Sequence, residues 1–238
     1  MHDCSGLGPR SSGVPERWAK ELLGRGYVIL IPDSFTTRGH ADGVCTDPSP
    51  SRRDVSPSRR VSDAYAALVY AHTLSFVDPS RVGLIGGSHG GSTVLASMVA
   101  PSNQKDVFAA AVALYPTCAV QYSDWRVVRT SGLGTPITRY IGVYKPLAPL
   151  LILIGEKDDW TPAEPCHKLV EAAQAAGYPV TIKIYPGAHH AFDSDRPVRY
   201  LPQRINPNSL PDVVQLRAEI LKHGPTVLMR SSHFSGST

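Results

Sequence analysis

The sequence predicts an α/β fold, a mostly parallel twisted sheet with helices on both faces, and three observations carry that prediction. Short continuous apolar runs alternate with helical patterns along most of the 238 residues. A G-x-S-x-G pentapeptide, Gly86-Gly87-Ser88-His89-Gly90, stands between one such run and a helical segment, which is the setting of a nucleophile elbow. A serine, an aspartate pair and a histidine pair each follow a different expected strand. The loops beyond the C-terminal strand ends are where a parallel sheet collects its functional groups.

Taken in order, Pro15 to Leu23 places Trp18, Leu22 and Leu23 on one helical face, and Gly24 and Gly26 stop it. Tyr27 to Ile31 is a continuous apolar run of the kind buried in a parallel sheet. Residues 36–60 are rich in Pro, Ser, Arg, Gly and Asp without periodicity and are expected to run as a long excursion over the sheet edge. Val61 to Leu74 returns to helix, Arg81 to Ile85 is the strand before the elbow, and Ser92 to Ala100 the helix after it. Ala109 to Tyr115 reads as a strand ended by Pro116. Gln121 to Tyr144, broken by Gly132, Gly134 and Pro136, reads as a loop or short helices near the site mouth. Leu150 to Ile154 is a strand, Ala163 to Ala176 a helix closed by Gly177, and Val180 to Tyr185 a further strand. Beyond Phe192 the chain turns polar and proline-rich, then offers a helix over Asp212 to His223. Residues 1–225 are expected to form a single domain, and 226–238 a disordered tail.

Composition narrows the function classes. At 42% hydrophobic and 18% charged residues the chain is ordinary for a globular protein. Its net charge of +4 is concentrated in Arg52, Arg53, Arg59 and Arg60 of the Ser/Pro-rich stretch. With no aromatic residues interleaved, these read as a solvated loop, and no nucleic-acid partner is expected. No apolar run approaches the roughly 18 to 20 residues of a membrane span. The start, Met1 to Gly6, lacks the charged and apolar regions of an export signal, so the default expectation is cytoplasmic. Cys4, Cys45, Cys118 and Cys166 are widely spaced and form no C-x-x-C pair, which leaves the redox compartment open. His2, Cys4, His189 and His190 show no metal-binding spacing, so no metal is expected. The glycine-rich segment 86–91 lacks the features of a nucleotide loop. Arg38, Tyr122 and Trp125 lie in segments that could line a pocket, or serve structure alone.

The chemistry follows from residue types. A serine hydroxyl is a poor nucleophile at neutral pH; it needs an imidazole to take its proton and a carboxylate to fix that imidazole's tautomer. Ser88 lies in the elbow, Asp158 and Asp159 lie in the loop after Leu150 to Ile154, and His189 and His190 lie in the loop after Tyr185. Each element alone has a plain structural reading, an aspartate capping the helix near Pro162 for example. Order and strand-end placement together favour a triad.

With these residues the chain resembles the dienelactone hydrolase-like branch of the α/β-hydrolases. The resemblance runs from His2 to about Phe192 through H-D-C-S-G-L-G, I-P-D-S-F-T-T-R-G, D-P-S-R-V-G-L-I-G-G-S-H-G-G, L-I-L-I-G-E-K-D-D and Y-P-G-A-H-H-A-F. It implies that Ser88 is the nucleophile, that Asp158 rather than Asp159 is the acid, and that His190 rather than His189 is the base. It further implies an oxyanion hole made by the backbone amides of His89 and Cys4, a small-molecule ester or lactone substrate, and no cofactor. Two departures stand out. The best-known dienelactone hydrolases carry a cysteine where this chain has Ser88, so their lactone does not transfer. Family members carry strands before the H-x-x-x-G loop, whereas this chain begins on it, so the early strands are expected to be missing. Two other readings stay open: a truncated scaffold without activity, and a serine peptidase or acyltransferase on the same fold.

Overall fold

The computed structural model describes residues 1–99, 106–130, 137–200 and 215–216. Its centre is a four-stranded parallel sheet of β1 (Gly83–Gly87), β2 (Ala110–Leu114), β5 (Leu150–Gly155) and β6 (Val180–Tyr185), in the order β1-β2-β5-β6. The two inner strands, AAVAL and LLILIG, are apolar on both faces, as burial on both sides requires. In β6 at one edge, Thr181 and Lys183 are exposed between more buried Val180, Ile182 and Ile184, the alternation of a strand with a wet side. Register sets Gly87 beside Leu114, Leu114 beside Leu153, and Gly155 beside Tyr185. The loops following Gly87, Gly155 and Tyr185 therefore leave the sheet at the same end.

Helix α3 (His89–Ser97) joins β1 to β2 and α4 (Ala163–Ala175) joins β5 to β6. Right-handed crossovers in this unidirectional strand order put both helices on one face. Helix α2 (Val61–His72) packs on α3. Helix α1 (Val14–Leu23) is tied instead to the chain after β6: Trp18 Nε1 donates to Asp193 Oδ2 at 2.7 Å, and Arg17 to the Asp193 carbonyl. A large apolar cluster joins the sheet to α2, α3 and α4.

The structure departs from expectation in four places. Tyr27 to Ile31 belongs to no strand, and Tyr27 and Val28 are each 50% exposed. A continuous apolar run is buried only where strands flank it, and among the described residues none pairs with this one. The outer edge of β1 is met by the Met1 amine, hydrogen-bonded to the Ile85 carbonyl. Within the span 121–144, the described residues 121–130 and 137–144 form no short helices. They carry an antiparallel ribbon of β3 (Arg126–Thr130) and β4 (Ile137–Ile141), anchored by Trp125, which stacks on Tyr140. Strong breakers between the strands hid the alternation on either side of them. Residues 36–60 contain 3₁₀ turns at Thr36–Arg38 and Pro50–Val55, and they do more than cover an edge. Val44 and Val55 close a second small core with Cys4 and Phe35. Within the expected helix Asp212 to His223, Gln215–Leu216 (β8) instead pairs with Arg199–Tyr200 (β7). The rest of that segment and the tail 226–238 lie outside the described residues.

Candidate active site

Ser88 occupies the turn between β1 and α3 with φ 53° and ψ −117°, a left-handed backbone that a residue with a side chain rarely adopts. The surrounding glycines make the turn possible. A Cβ on Gly86 would lie 2.5 Å from the Gly90 carbonyl oxygen, and one on Gly90 would lie 2.2 Å from that of Met1 and 2.6 Å from that of His2. The first segment of the chain is thus packed directly against the elbow. The Ser88 amide donates to the Leu114 carbonyl at 2.9 Å, pinning the turn to β2.

The three strand-end loops bring their side chains together. His190 Nε2 lies 2.9 Å from Ser88 Oγ, and His190 Nδ1 lies 2.8 Å from Asp158 Oδ2. It is Asp158 and not Asp159 that meets the imidazole, and His190 and not His189 that reaches the serine. Asp158 and His190 are buried. Asp158 is held in a turn of its own making, with Oδ1 accepting from the Trp160 amide at 3.0 Å and the Thr161 amide at 2.8 Å. Thr161 Oγ1 lies 2.9 Å from Asp158 Oδ2, 3.0 Å from His190 Nδ1 and 3.1 Å from the Tyr115 carbonyl. The rings of Tyr115 and Trp160 flank the imidazole, each centroid 4.8 Å away. Burial first, and then the Asp193 carboxylate, raises the Tyr115 phenol well above its usual range, so it stays protonated and donates to Asp193 at 2.8 Å.

The segment carrying Cys4 is equally fixed. Asp3 accepts from the Ser5 amide and hydroxyl and from the Ser12 hydroxyl. Cys4 is joined to Cys45 by a disulfide, and the Cys4 carbonyl accepts from the Val44 amide. The buried His2 ring accepts from the Ser34 amide through Nε2, so Nδ1 carries the proton given to the Asp3 carbonyl. Burial and the nearby Arg60 charge lower its pKa to about 4. His89 opens α3, so its amide has no acceptor within the helix. Its ring pKa is lowered to about 3 by burial and then by Arg60, whose Nη1 lies 2.8 Å from Nδ1.

Sequence reading missed several of these groups. Composition reads Arg52, Arg53, Arg59 and Arg60 alike as a solvated loop; Arg52, Arg53 and Arg59 are exposed, but Arg60 is fully buried. No local pattern separates it from its neighbours. Thr161 was findable as the hydroxyl closing an Asp-x-x-Thr turn, whereas Tyr115 and Asp193 carry no local signal. The four cysteines, left unassigned, pair as Cys4–Cys45 and Cys118–Cys166. Arg38 forms a two-pronged pair with Asp63 at 2.6 and 2.8 Å. Tyr122 and Trp125 are buried, donating to the carbonyls of Thr117 and Cys118.

Comparison with known proteins speaks to the family and fold of the chain. The model of the dienelactone hydrolase family matches residues 2–222. A protein of Synechocystis named "Putative carboxymethylenebutenolidase" is 28% identical over 208 residues, covering 84% of this chain and 76% of that one. The acylamino-acid-releasing enzyme of Arabidopsis thaliana is 28% identical over 158 residues, which are 57% of this chain and only 20% of that enzyme. Among solved structures, the "Putative Dienelactone Hydrolase" from Klebsiella pneumoniae superposes with a TM-score of 0.58 at 22% identity, over 82% of this chain and 75% of that one, and so shares the fold.

Proposed function

The chain belongs to the dienelactone hydrolase family of α/β-hydrolases, and from that membership we propose that it cleaves carboxylic esters or lactones through an acyl-enzyme on Ser88. The observation that carries this reading is the contact chain from Ser88 Oγ through His190 to Asp158, at 2.9 and 2.8 Å. With Nδ1–H donated to Asp158, the lone pair of His190 Nε2 faces the serine hydroxyl. His190 takes the hydroxyl proton as Oγ bonds to the substrate carbonyl carbon, and the carbonyl oxygen becomes an oxyanion. The backbone amides of His89 and Cys4 donate to that oxyanion. Collapse of the tetrahedral intermediate breaks the ester C–O bond, and His190 returns the proton to the leaving alcohol. In deacylation His190 takes a proton from water, the hydroxide adds to the acyl carbon, and Ser88 leaves as the hydroxyl. In a lactone the leaving alcohol remains tethered to the acyl group, so one ring-opened product is released.

The arrangement supports this reading over an inactive scaffold, because a positive-φ serine facing a buried imidazole is strained backbone with a chemical use. The test is labelling of the purified protein with a fluorophosphonate probe, with Ser88→Ala and His190→Ala as controls. Stoichiometric labelling, lost in both variants, is expected, followed by turnover in a screen of esters and lactones. A folded wild-type protein that takes up no probe would overturn the reading. Pairing of all four cysteines favours an oxidising compartment over the cytoplasmic default.

A further inference from the structure

Arg60 is an anomaly of charge. Its side chain is fully buried, yet among the described residues no carboxylate lies within ion-pair range of it. Asp63, one turn along α2, is engaged by Arg38, and Asp3 is held by Ser5 and Ser12. The contacts Arg60 does make are of another kind. Nη2 donates to the His2 carbonyl at 2.9 Å, Nη1 donates to His89 Nδ1 at 2.8 Å, and the guanidinium carbon lies 4.9 Å from the Phe35 ring centroid, while Nε has no acceptor among the described residues. Asp63, Asp3 and Asp33 oppose its charge only through space; a buried cation with no carboxylate in direct contact is costly, and an apolar side chain of similar size would satisfy packing at lower cost. A purely structural role leaves that cost unexplained.

The two polar contacts fall on the two segments that supply the proposed oxyanion donors. His2 lies two residues before Cys4, and His89 directly follows Ser88. We infer that Arg60 is a positioning residue for the oxyanion hole: it couples the His2 to Gly6 segment to the elbow, and it fixes the His89 ring in the neutral tautomer with its proton on Nε2. Because a guanidinium only donates, His89 Nδ1 must accept. A planar fork presents one N–H to each acceptor from fixed positions, which suits arginine better than the single ammonium of lysine. Among the described residues the resting cation touches dipoles and a ring face but no carboxylate. When the substrate carbonyl becomes an oxyanion, a full negative charge develops beside the segments it holds. Its interaction is therefore stronger in the transition state than before it, as rate acceleration requires. This inference rests on acyl transfer through Ser88.

The test compares wild type, Arg60→Lys and Arg60→Met for fluorophosphonate labelling rate and for hydrolysis of a p-nitrophenyl ester, with thermal melts to establish folding. Removing one direct oxyanion donor costs roughly 100- to 1000-fold in kcat. Arg60 acts one step behind the donors, so Arg60→Met is expected to lose about 10- to 100-fold in kcat at little-changed KM. Arg60→Lys is expected to recover part of that loss. Nitrogen NMR of histidine-labelled wild type should show His89 neutral with its proton on Nε2 through mildly acidic pH, and Arg60→Met should let it titrate nearer the ordinary range. A folded Arg60→Met labelled at the wild-type rate overturns the inference, and so does a wild-type His89 carrying its proton on Nδ1. Should both variants fail to fold, the wild-type spectrum decides. Absence of labelling in wild type removes the acyl-enzyme reading itself, a result distinct from a wild type that labels and an Arg60 variant that matches it.

Discussion

His2 accepts through one ring nitrogen and donates through the other, and the residue itself is fully buried. Only its neutral form satisfies both contacts, and burial followed by the Arg60 charge lowers its pKa to about 4 from 6.5. Between those two values the unfolded chain binds a proton that the folded one refuses, so stability falls as pH drops through that window and is restored as pH rises above it. The effect is on the order of 3 kcal/mol when complete. Urea unfolding at neutral pH and at the bottom of the window should show this loss in wild type and a smaller one in His2→Asn, whose amide keeps the donor to the Asp3 carbonyl. Equal losses in both proteins would mean that His2 does not report the pH dependence. At this scale the sequence was legible where a residue's role depends on its own loop, as for Ser88 in its glycine-flanked pentapeptide. It was illegible for Arg60, whose partners lie 58 and 29 residues away.

The elbow shows how an element converts composition into position. Gly90 has no unusual dihedral to adopt; what it needs is space, because the Met1 and His2 carbonyls lie where its Cβ would be. Gly90→Ala should therefore push the first segment away from the elbow rather than unfold α3. The expected outcome is a protein destabilised by about 1 to 3 kcal/mol but still folded, with fluorophosphonate labelling slowed at least tenfold as the Cys4 amide moves. Labelling at the wild-type rate, alongside a lowered Tm, would show that the segment's position does not matter to the chemistry. The motif marked this glycine in advance, but the reason for it, an approach by residues nearly ninety positions earlier, became visible only in three dimensions. Strand-scale reading succeeded for β1, β2, β5 and β6 because their apolar runs and glycine or proline stops are local. It failed for Tyr27 to Ile31, since burial of a run depends on which strands stand beside it.

Across the whole molecule, the two disulfides tie together parts that the sheet does not. Cys4–Cys45 joins the first segment to the 3₁₀-rich excursion, and Cys118–Cys166 joins the chain after β2 to α4. With partners 41 and 48 positions apart, loop-closure entropy gives about 4 kcal/mol for each, or roughly 8 to 16 °C in Tm for a chain of this size. Thermal melts of paired Cys→Ser variants should show losses of that order for either pair. Removal of Cys4–Cys45 should also slow probe labelling, which removal of Cys118–Cys166 should leave near wild type. Equal effects on labelling would argue against a special tie between the first disulfide and the site. What the sequence by itself determined is the order of parallel strands and the loops that hold Ser88, Asp158 and His190. Hydrophobic period, glycine punctuation and chain direction are local properties, and a parallel sheet brings such loops to one end. Resemblance to a family pattern already pointed to Asp158 over Asp159 and His190 over His189; tertiary structure alone decided how the cysteines pair, where Arg60 is buried and what leaves Tyr27 to Ile31 outside the sheet. Each of those outcomes is settled by contact with residues far away along the chain, and no local period encodes them.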